Sequence, residues 1–224
     1  RLGEISHVSA VLPEAEGVDD GELFAQGYGF AYYGVSEDMV YMEEILELNQ
    51  HINLTAITDR EEFIKKHYID SLLSVNCEEF KSAKTIIDVG TGGGFPGIPL
   101  SVIFPNGEFT LCDSIGKKII VASEVAKGLG LKNVKTINAR AETLPETFDY
   151  IVSRAVTSLD NFMPWVKGKY AEGILYLKGG DLADEISTAM SHHKMRKGSV
   201  SLWPISSWTD DPFFETKYVI YIER

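Results

Sequence analysis

The sequence predicts an α/β domain: a seven-stranded, mostly parallel sheet with a helical N-terminal extension. Three observations carry this. From Thr85 onward, short β-branched segments alternate with helical ones, the pattern of a parallel sheet built from right-handed crossovers. The last interval, SSWTDDPFFET at 206–216, is too short and too punctuated for a crossover helix, so the final two strands pair as a hairpin and one strand runs antiparallel. The stretch TIIDVGTGGGFPGIPLS at 85–101 sets five glycines and two prolines directly after the first strand.

The 224 residues, 44% hydrophobic and 24% charged, suit one domain with a sizeable core. Residues 1–35, with PEAEGVDDGE and GYGFAYYG, mix acid, Gly and Tyr without a period and read as a loosely ordered lead-in. A helical extension follows at 36–80. Ser36 caps a first helix with Glu37 and Asp38 in its opening turn and Tyr41, Met42, Ile45 and Leu48 on its apolar face. A second begins at DREE, where Asp59 and Glu62 have capping-box spacing. Its stripe of Phe63, Ile64, His67, Tyr68, Leu72 and Val75 has to pack on something.

The sheet domain occupies 81–224. Its strands read TIIDVG, EFTLCD, VKTINA, DYIVSR, GILYLKG, SVSLWPI and KYVIYIE, with helices after the first, second, fourth and fifth and a short one after the third. Seven strands with an antiparallel ending form the Rossmann-like arrangement shared by most class I S-adenosylmethionine-dependent methyltransferases. No run approaches eighteen apolar residues and no signal peptide is visible, so a cytoplasmic protein without membrane contact is expected. Cys77 and Cys112 are too few for a disulfide framework.

Formal charge is −12, but it is uneven. Residues 1–48 hold eleven acids against Arg1 alone, leaving 22 acids and 20 bases, a net of −2, for the rest. Within that near-neutral body Lys117, Lys118, Lys127, Lys132, Lys135 and Arg140 cluster, as do Lys194, Arg196 and Lys197. Either cluster is a solvated helix face or a footprint for phosphate.

Two fingerprints overlap in the glycine stretch. Gly92, Gly94 and Gly97 satisfy G-x-G-x-x-G, the dinucleotide loop; Asp88 followed by Gly90, Gly92 and Gly94 gives D-x-G-x-G-x-G, the nucleoside loop of methyltransferases. Both put glycine where a Cβ would collide with a cofactor. A dehydrogenase needs a separate substrate domain, and one seven-stranded sheet uses all the residues that follow, which favours the nucleoside loop. Asp113, 21 residues beyond Gly92, ends the second strand where an acid takes ribose hydroxyls, with Ser114 beside it. Arg140, Ala141 and Glu142 end the third strand at the same edge, where adenine would be held.

NLTAI at 53–57, KHYIDSLL at 66–73, DVGTGGGFPGIPLS, FTLCDSIGKK, ARAE, DYIVSRAVTSL and YLKGG occur in that order. Together they resemble the bacterial family, glucose-inhibited division protein B, that methylates N7 of one guanine in 16S (small-subunit) ribosomal RNA. The resemblance runs from about residue 36 to 180. It implies S-adenosylmethionine as cofactor, held through Gly90, Phe95, Asp113, Ala141, Glu142 and Arg154. It also implies that Arg140, Arg154 and Lys178 lie near RNA, met as 16S RNA or as the small-subunit ribonucleoprotein; Lys117 and Lys118 extend that candidate surface. The chain departs from the family pattern at Gly93, in the acidic lead-in, and over its last forty residues.

The fourth strand ends IVSRAV and lacks the D/N-P-P-Y/F clamp of exocyclic-amine methyltransferases. Neither cysteine has the surroundings of a nucleophile, and no His, Cys and acid set has metal spacing. Guanine N7 needs neither clamp nor base, because its lone pair is already free. Arg154, the candidate catalytic residue, lies where such a sheet opens its crevice; the alternative is a structural ion pair. His67 reads as a hydrogen-bonded core histidine, His192 and His193 as a solvated helix end, and Trp165, Trp203 and Trp208 as core or base-stacking residues. The rival functions are a small-metabolite methyltransferase and a non-catalytic RNA-binding module.

Overall fold

The computed structural model describes residues 59–73 and 83–224. The lead-in, the helix anticipated from Ser36, and Val75 and Cys77 lie outside them. Strands β1 (Thr85–Val89), β2 (Glu108–Asp113), β3 (Val134–Asn138), β4 (Phe148–Arg154), β5 (Tyr170–Gly179), β6 (Val200–Pro204) and β7 (Lys217–Glu223) form one sheet in the order β3-β2-β1-β4-β5-β7-β6. β7 lies antiparallel between β5 and β6, and the pairs among β1 to β5 are parallel. All seven strands anticipated from the sequence are present. β5 starts at Tyr170, ahead of GILYLKG, because a register shift between Phe148 and Tyr150 lets Tyr170 pair with Phe148.

The central strands β1, β2 and β4 are buried along most of their length because helices cover both faces. On one face lies a helix α1 of three contiguous segments, α-helical Arg60–Phe63, π-helical Ile64–Ile69 and α-helical Asp70–Leu73, with α2 (Gly97–Ile103) and α3 (Gly116–Gly128). Phe63, Tyr68 and Leu72 of α1 share one buried cluster with Leu100, Ala122, Ile205 and Phe214. On the other face α4 (Leu159–Val166) and α5 (Ala183–His192) bury Phe162, Met163 and Ala189 against Ile151 and Ile174. A 3₁₀ turn, Ala141–Thr143, follows β3.

Asp59 caps α1: its Oδ1 accepts the Glu62 N–H at 2.9 Å. Lys65 ties the same helix to the β6–β7 connection through Asp211 at 2.7 Å. The π-helical segment has no sequence signal, since residue spacing distinguishes poorly between i→i+4 and i→i+5 winding over six residues. The strand order reverses between β1 and β4, so the crevice of this sheet opens at the carboxyl ends of those two strands.

Candidate functional site

The site is organised by one buried acid. Asp88, in β1, is fully buried, and its Oδ2 accepts from Thr91 Oγ1 at 2.6 Å and from the Gly97 N–H at 2.8 Å. One carboxylate oxygen thereby fastens both ends of the glycine loop. Oδ1 has no hydrogen-bond partner among the described residues. Burial pushes the Asp88 pKa up to about 7, against the opposing pull of the Thr91 and Gly97 bonds. Asp88 therefore shapes the loop from beneath.

Two glycines explain why the loop needs bare backbone. Gly90 has φ +74°, and a Cβ there would lie 2.5 Å from Val156 Cγ2. Gly92 has φ +59°, and a Cβ there would meet no described protein atom within 4 Å, so the space expected for a cofactor is free of protein. The residue's second requirement is the left-handed backbone, which aims the Gly92 N–H at Asp113 Oδ2, 3.1 Å away.

A cleft of about 480 Å³ opens beside this loop, walled by Gly90, Asp113, Ser114, Lys118, Arg140, Ala141, Glu142 and Arg154, with Ile115, Val156 and Trp165 adding apolar surface. Asp113 ends β2, and its two oxygens accept from the Gly92 and Ile115 N–H groups. The carboxylate plane is fixed and lone pairs remain to accept from a diol. Asn138 Nδ2 and the Ala139 N–H both donate to the Asp113 carbonyl, bringing the end of β3 and the turn with Ala141 and Glu142 alongside. Arg140, at 3.6 Å from Glu142, extends into solvent. Cys112 also lines the cleft, but its Sγ donates to the Ala139 carbonyl, and burial, then Asp113, pushes the thiol up to about 11. It is no nucleophile at neutral pH. Gly94 and Phe95 belong to the loop, not to the cleft wall; Phe95 packs against Phe63 and His67.

Arg154 ends β4 and separates this cleft from a second one of about 460 Å³, walled by Lys66, His67, Asp70, Lys178, Phe213 and Lys217. Its Nη1 donates to the Lys66 carbonyl at 3.0 Å and the His67 carbonyl at 3.4 Å and stands 3.5 Å from Asp70 Oδ2; its Nη2 is 2.7 Å from His67 Nδ1. The guanidinium also lies over the Phe95 ring at 5.5 Å. Both sequence readings of Arg154 thus coincide: it stands in the crevice and is ion-paired. Burial, then Arg154 and Lys66, lowers the His67 pKa to about 3, so the ring is neutral and Nδ1 accepts from Arg154. Burial raises the Asp70 pKa, and Arg154 opposes the shift.

Ala155, shared by both clefts, has φ +47°, a left-handed conformation that costs a Cβ-bearing residue about 1 kcal/mol. It is held there by its N–H bond to the Leu177 carbonyl. Lys178 is fixed by Glu185 at 2.5 and 2.8 Å and by the Thr157 carbonyl at 3.0 Å. Lys118 lines the first cleft, whereas Lys117 is exposed and lines neither. His192 and His193 both lie 3.0 Å from Asp160, and Trp203 stacks on Tyr221. Sequence reasoning missed Phe213 and Lys217 as cleft residues and missed His67 with Asp70 as partners of Arg154; the i,i+3 spacing in HYID was the available signal for the latter.

A family model described as GidB, rRNA small subunit methyltransferase G, matches residues 37–209. A Christiangramia forsetii protein named ribosomal RNA small subunit methyltransferase G is 43% identical over 190 residues, 81% of this chain and 86% of its own length. A Cytophaga hutchinsonii protein of the same name is 40% identical over 184 residues, 79% and 86% of the two chains. Among solved structures, the S-adenosylmethionine-dependent methyltransferase SibL in its apo form superposes with TM-score 0.58 at 14% identity, over 91% of this chain and 76% of that one. A SAM-dependent methyltransferase from Aquifex aeolicus does so with 0.52 at 17%, over 72% and 92%. These likenesses show the fold.

Two of the perturbed groups, Asp88 and His67, predict opposing pH effects. Asp88 binds its proton more tightly folded than unfolded, so its contribution to stability is lost as pH rises from about 4 to about 7. His67 binds its proton less tightly folded, so its contribution is lost as pH falls from about 6.5 to about 3. Between about pH 4 and 6.5, Asp88→Asn should therefore make Tm climb more steeply with pH, and His67→Gln less steeply. Melting curves at constant ionic strength check this; unchanged slopes in both variants would show that neither group carries the shift.

Proposed function

The chain belongs to the rRNA small subunit methyltransferase G family, and we propose on that premise that it transfers the methyl group of S-adenosylmethionine to N7 of one guanine in 16S ribosomal RNA. The observation that carries the choice of atom is the junction of the two clefts. Arg154 and Ala155 are common to both, and the titratable groups around them have other tasks: His67 is a weak base bound to Arg154, Asp70 faces Arg154, Cys112 is held as a thiol, Asp88 is sealed beneath the loop, and Asp113 and Glu142 line the cofactor cleft.

The first cleft fits the cofactor. The bare backbone of Gly90 leaves room beside Val156, the oriented Asp113 carboxylate would accept ribose hydroxyls with Ser114 adjacent, and Ala141 and Glu142 would hold the adenine edge. When bound, S-adenosylmethionine supplies an electrophilic methyl that the in-plane lone pair of guanine N7 takes up, so positive charge passes to the base and no proton is released. The protein's contribution is then positioning and charge management. Asp88 and the Gly92 N–H hold loop and carboxylate in place. Arg154, locked by α1, fixes the boundary at which acceptor meets donor.

RNA is the substrate the family name specifies, and the surroundings suit it. Lys66, Lys178 and Lys217 wall the second cleft, while Lys118 and Arg140 rim the first. In this reading the acceptor comes as 16S RNA or as the small-subunit ribonucleoprotein, in the cytoplasm. No helix among the described residues is long and apolar enough to cross a membrane, and none of their His, Cys, Asp and Glu side chains form a group able to hold a metal.

Nucleoside mass analysis of small-subunit RNA incubated with the enzyme and methyl-labelled cofactor should reveal 7-methylguanosine, at a site that borohydride and aniline cleave. The single-turnover rate should change less than about threefold between about pH 6.5 and 8.5, where a general base would titrate. A tenfold rise per pH unit, or a methylated nucleoside resistant to cleavage, would sink the N7 assignment. Gly90→Val should weaken S-adenosylhomocysteine binding at least ~100-fold by calorimetry, because the side chain would enter both the cleft and the space of Val156. Wild-type affinity would place the cofactor elsewhere.

A further inference from the structure

The second cleft contains a ring with no assigned task. Phe213 lies in the β6–β7 connection, outside the 37–209 range matched by the family model. It is half-buried, and it sits in a cleft that meets the cofactor cleft at Arg154 and Ala155. His67, the other ring on that wall, is spent on Phe95 and Arg154.

The Phe213 ring is held rigidly. Its backbone N–H donates to Asp211 Oδ1 at 2.8 Å, Asp211 pairs with Lys65 of α1 at 2.7 Å, and Phe214 meets the ring edge-to-face at 4.9 Å. Two ammonium groups lie over the ring, with Lys217 Nζ 4.9 Å and Lys66 Nζ 5.8 Å from its centroid, each at the end of a flexible side chain. An aromatic face overlain by flexible ammonium groups, which can swing aside to a carbonyl oxygen or a phosphate as a base takes their place, supplies what a base drawn out of an RNA strand requires: a face to stack on, and donors beside it. A lysine also suits this reaction better than an arginine fork, because guanine N7 has to stay unbound while O6 takes a single donor.

We propose that Phe213 is the stacking platform for the acceptor guanine, with Lys217 and Lys66 holding O6 and the flanking phosphates. This rests on the RNA-methylating reading above and adds to it which side chains seat the base. Stacking on an aromatic ring tolerates exchange among aromatics, whereas a core-packing role tolerates exchange for an apolar residue of similar size. The two roles therefore give different rank orders among variants.

The test compares Phe213→Leu, Phe213→Tyr and Phe213→Trp by kcat/KM on 16S RNA, S-adenosylhomocysteine affinity and Tm. Phe213→Leu should lose roughly ten- to a hundredfold in kcat/KM with cofactor affinity and Tm near wild type, while Tyr and Trp retain most activity. If Leu is as active as Tyr, or if activity simply follows Tm across the three, Phe213 only packs and the proposal is overturned. The wild-type control separates this from the broader reading. A wild type that methylates RNA beside a fully active Phe213→Leu removes the platform alone, whereas a wild type that makes no 7-methylguanosine removes both.

Discussion

The buried guanidinium of Arg154 is the contact on which the arrangement of the two clefts depends. Sequestering a charge costs several kcal/mol unless the protein supplies partners. Here they come from one stretch of helix: the Lys66 and His67 carbonyls, the His67 ring and Asp70. These carbonyls take the guanidinium on a second lone pair: the His67 oxygen, in the π-helical Ile64–Ile69 segment, also accepts from the Asp70 N–H and from Ser71 Oγ. Through this contact the helix preceding the sheet becomes part of the site, and the end of β4 becomes a fixed wall between the clefts.

The charge distribution follows the same division. In the first cleft Asp113 and Glu142 balance Lys118 and Arg140, a setting that accepts a cationic nucleoside cofactor without strong bias. In the second, Lys66, Lys178 and Lys217 outnumber Asp70, a setting for a polyanion. Lys66 and Lys178 are paired with Glu62 and Glu185 at 2.8 and 2.5 Å, so they contribute position more than net charge and the surplus rests mainly on Lys217. The strained backbone of Ala155 lies where the two settings meet. Strain of that kind persists where the surroundings over-determine the conformation, and here β5 supplies the Leu177 carbonyl that does so.

Much of this was legible in the sequence, for physical reasons that differ by element. β1, β2 and β4 were readable because strands covered on both faces are written as continuous apolar runs, and the β6–β7 hairpin because its connection cannot form a helix. Asp88, Gly90 and Asp113 were readable because the turn after β1 needs left-handed backbone and β2 ends in an acid. Gly92 was read as clearing space for a cofactor; its φ of +59° is a second reason for glycine that the sequence did not display, and no described protein atom fills the space beside it. Asp88 was anticipated at the cofactor and instead ties the loop from below, since spacing does not reveal on which side of a turn a side chain lies. The π-helix, the His67–Arg154 bond and the placing of Phe213 depend on contacts between residues up to about 150 positions apart, and no local pattern encodes those.

Arg154 serves as a positioning wall, and Arg154→Lys probes that role, because lysine keeps the charge but loses the fork that reaches two carbonyls, Asp70 and His67 at once. The measurement is the single-turnover rate of methyl transfer to 16S RNA, with S-adenosylhomocysteine affinity measured beside it. A rate lower by at least ~30-fold, with cofactor affinity within about threefold of wild type, is the predicted result. A wild-type rate in Arg154→Lys would contradict the account, because the boundary between the clefts would then not need the contact that builds it.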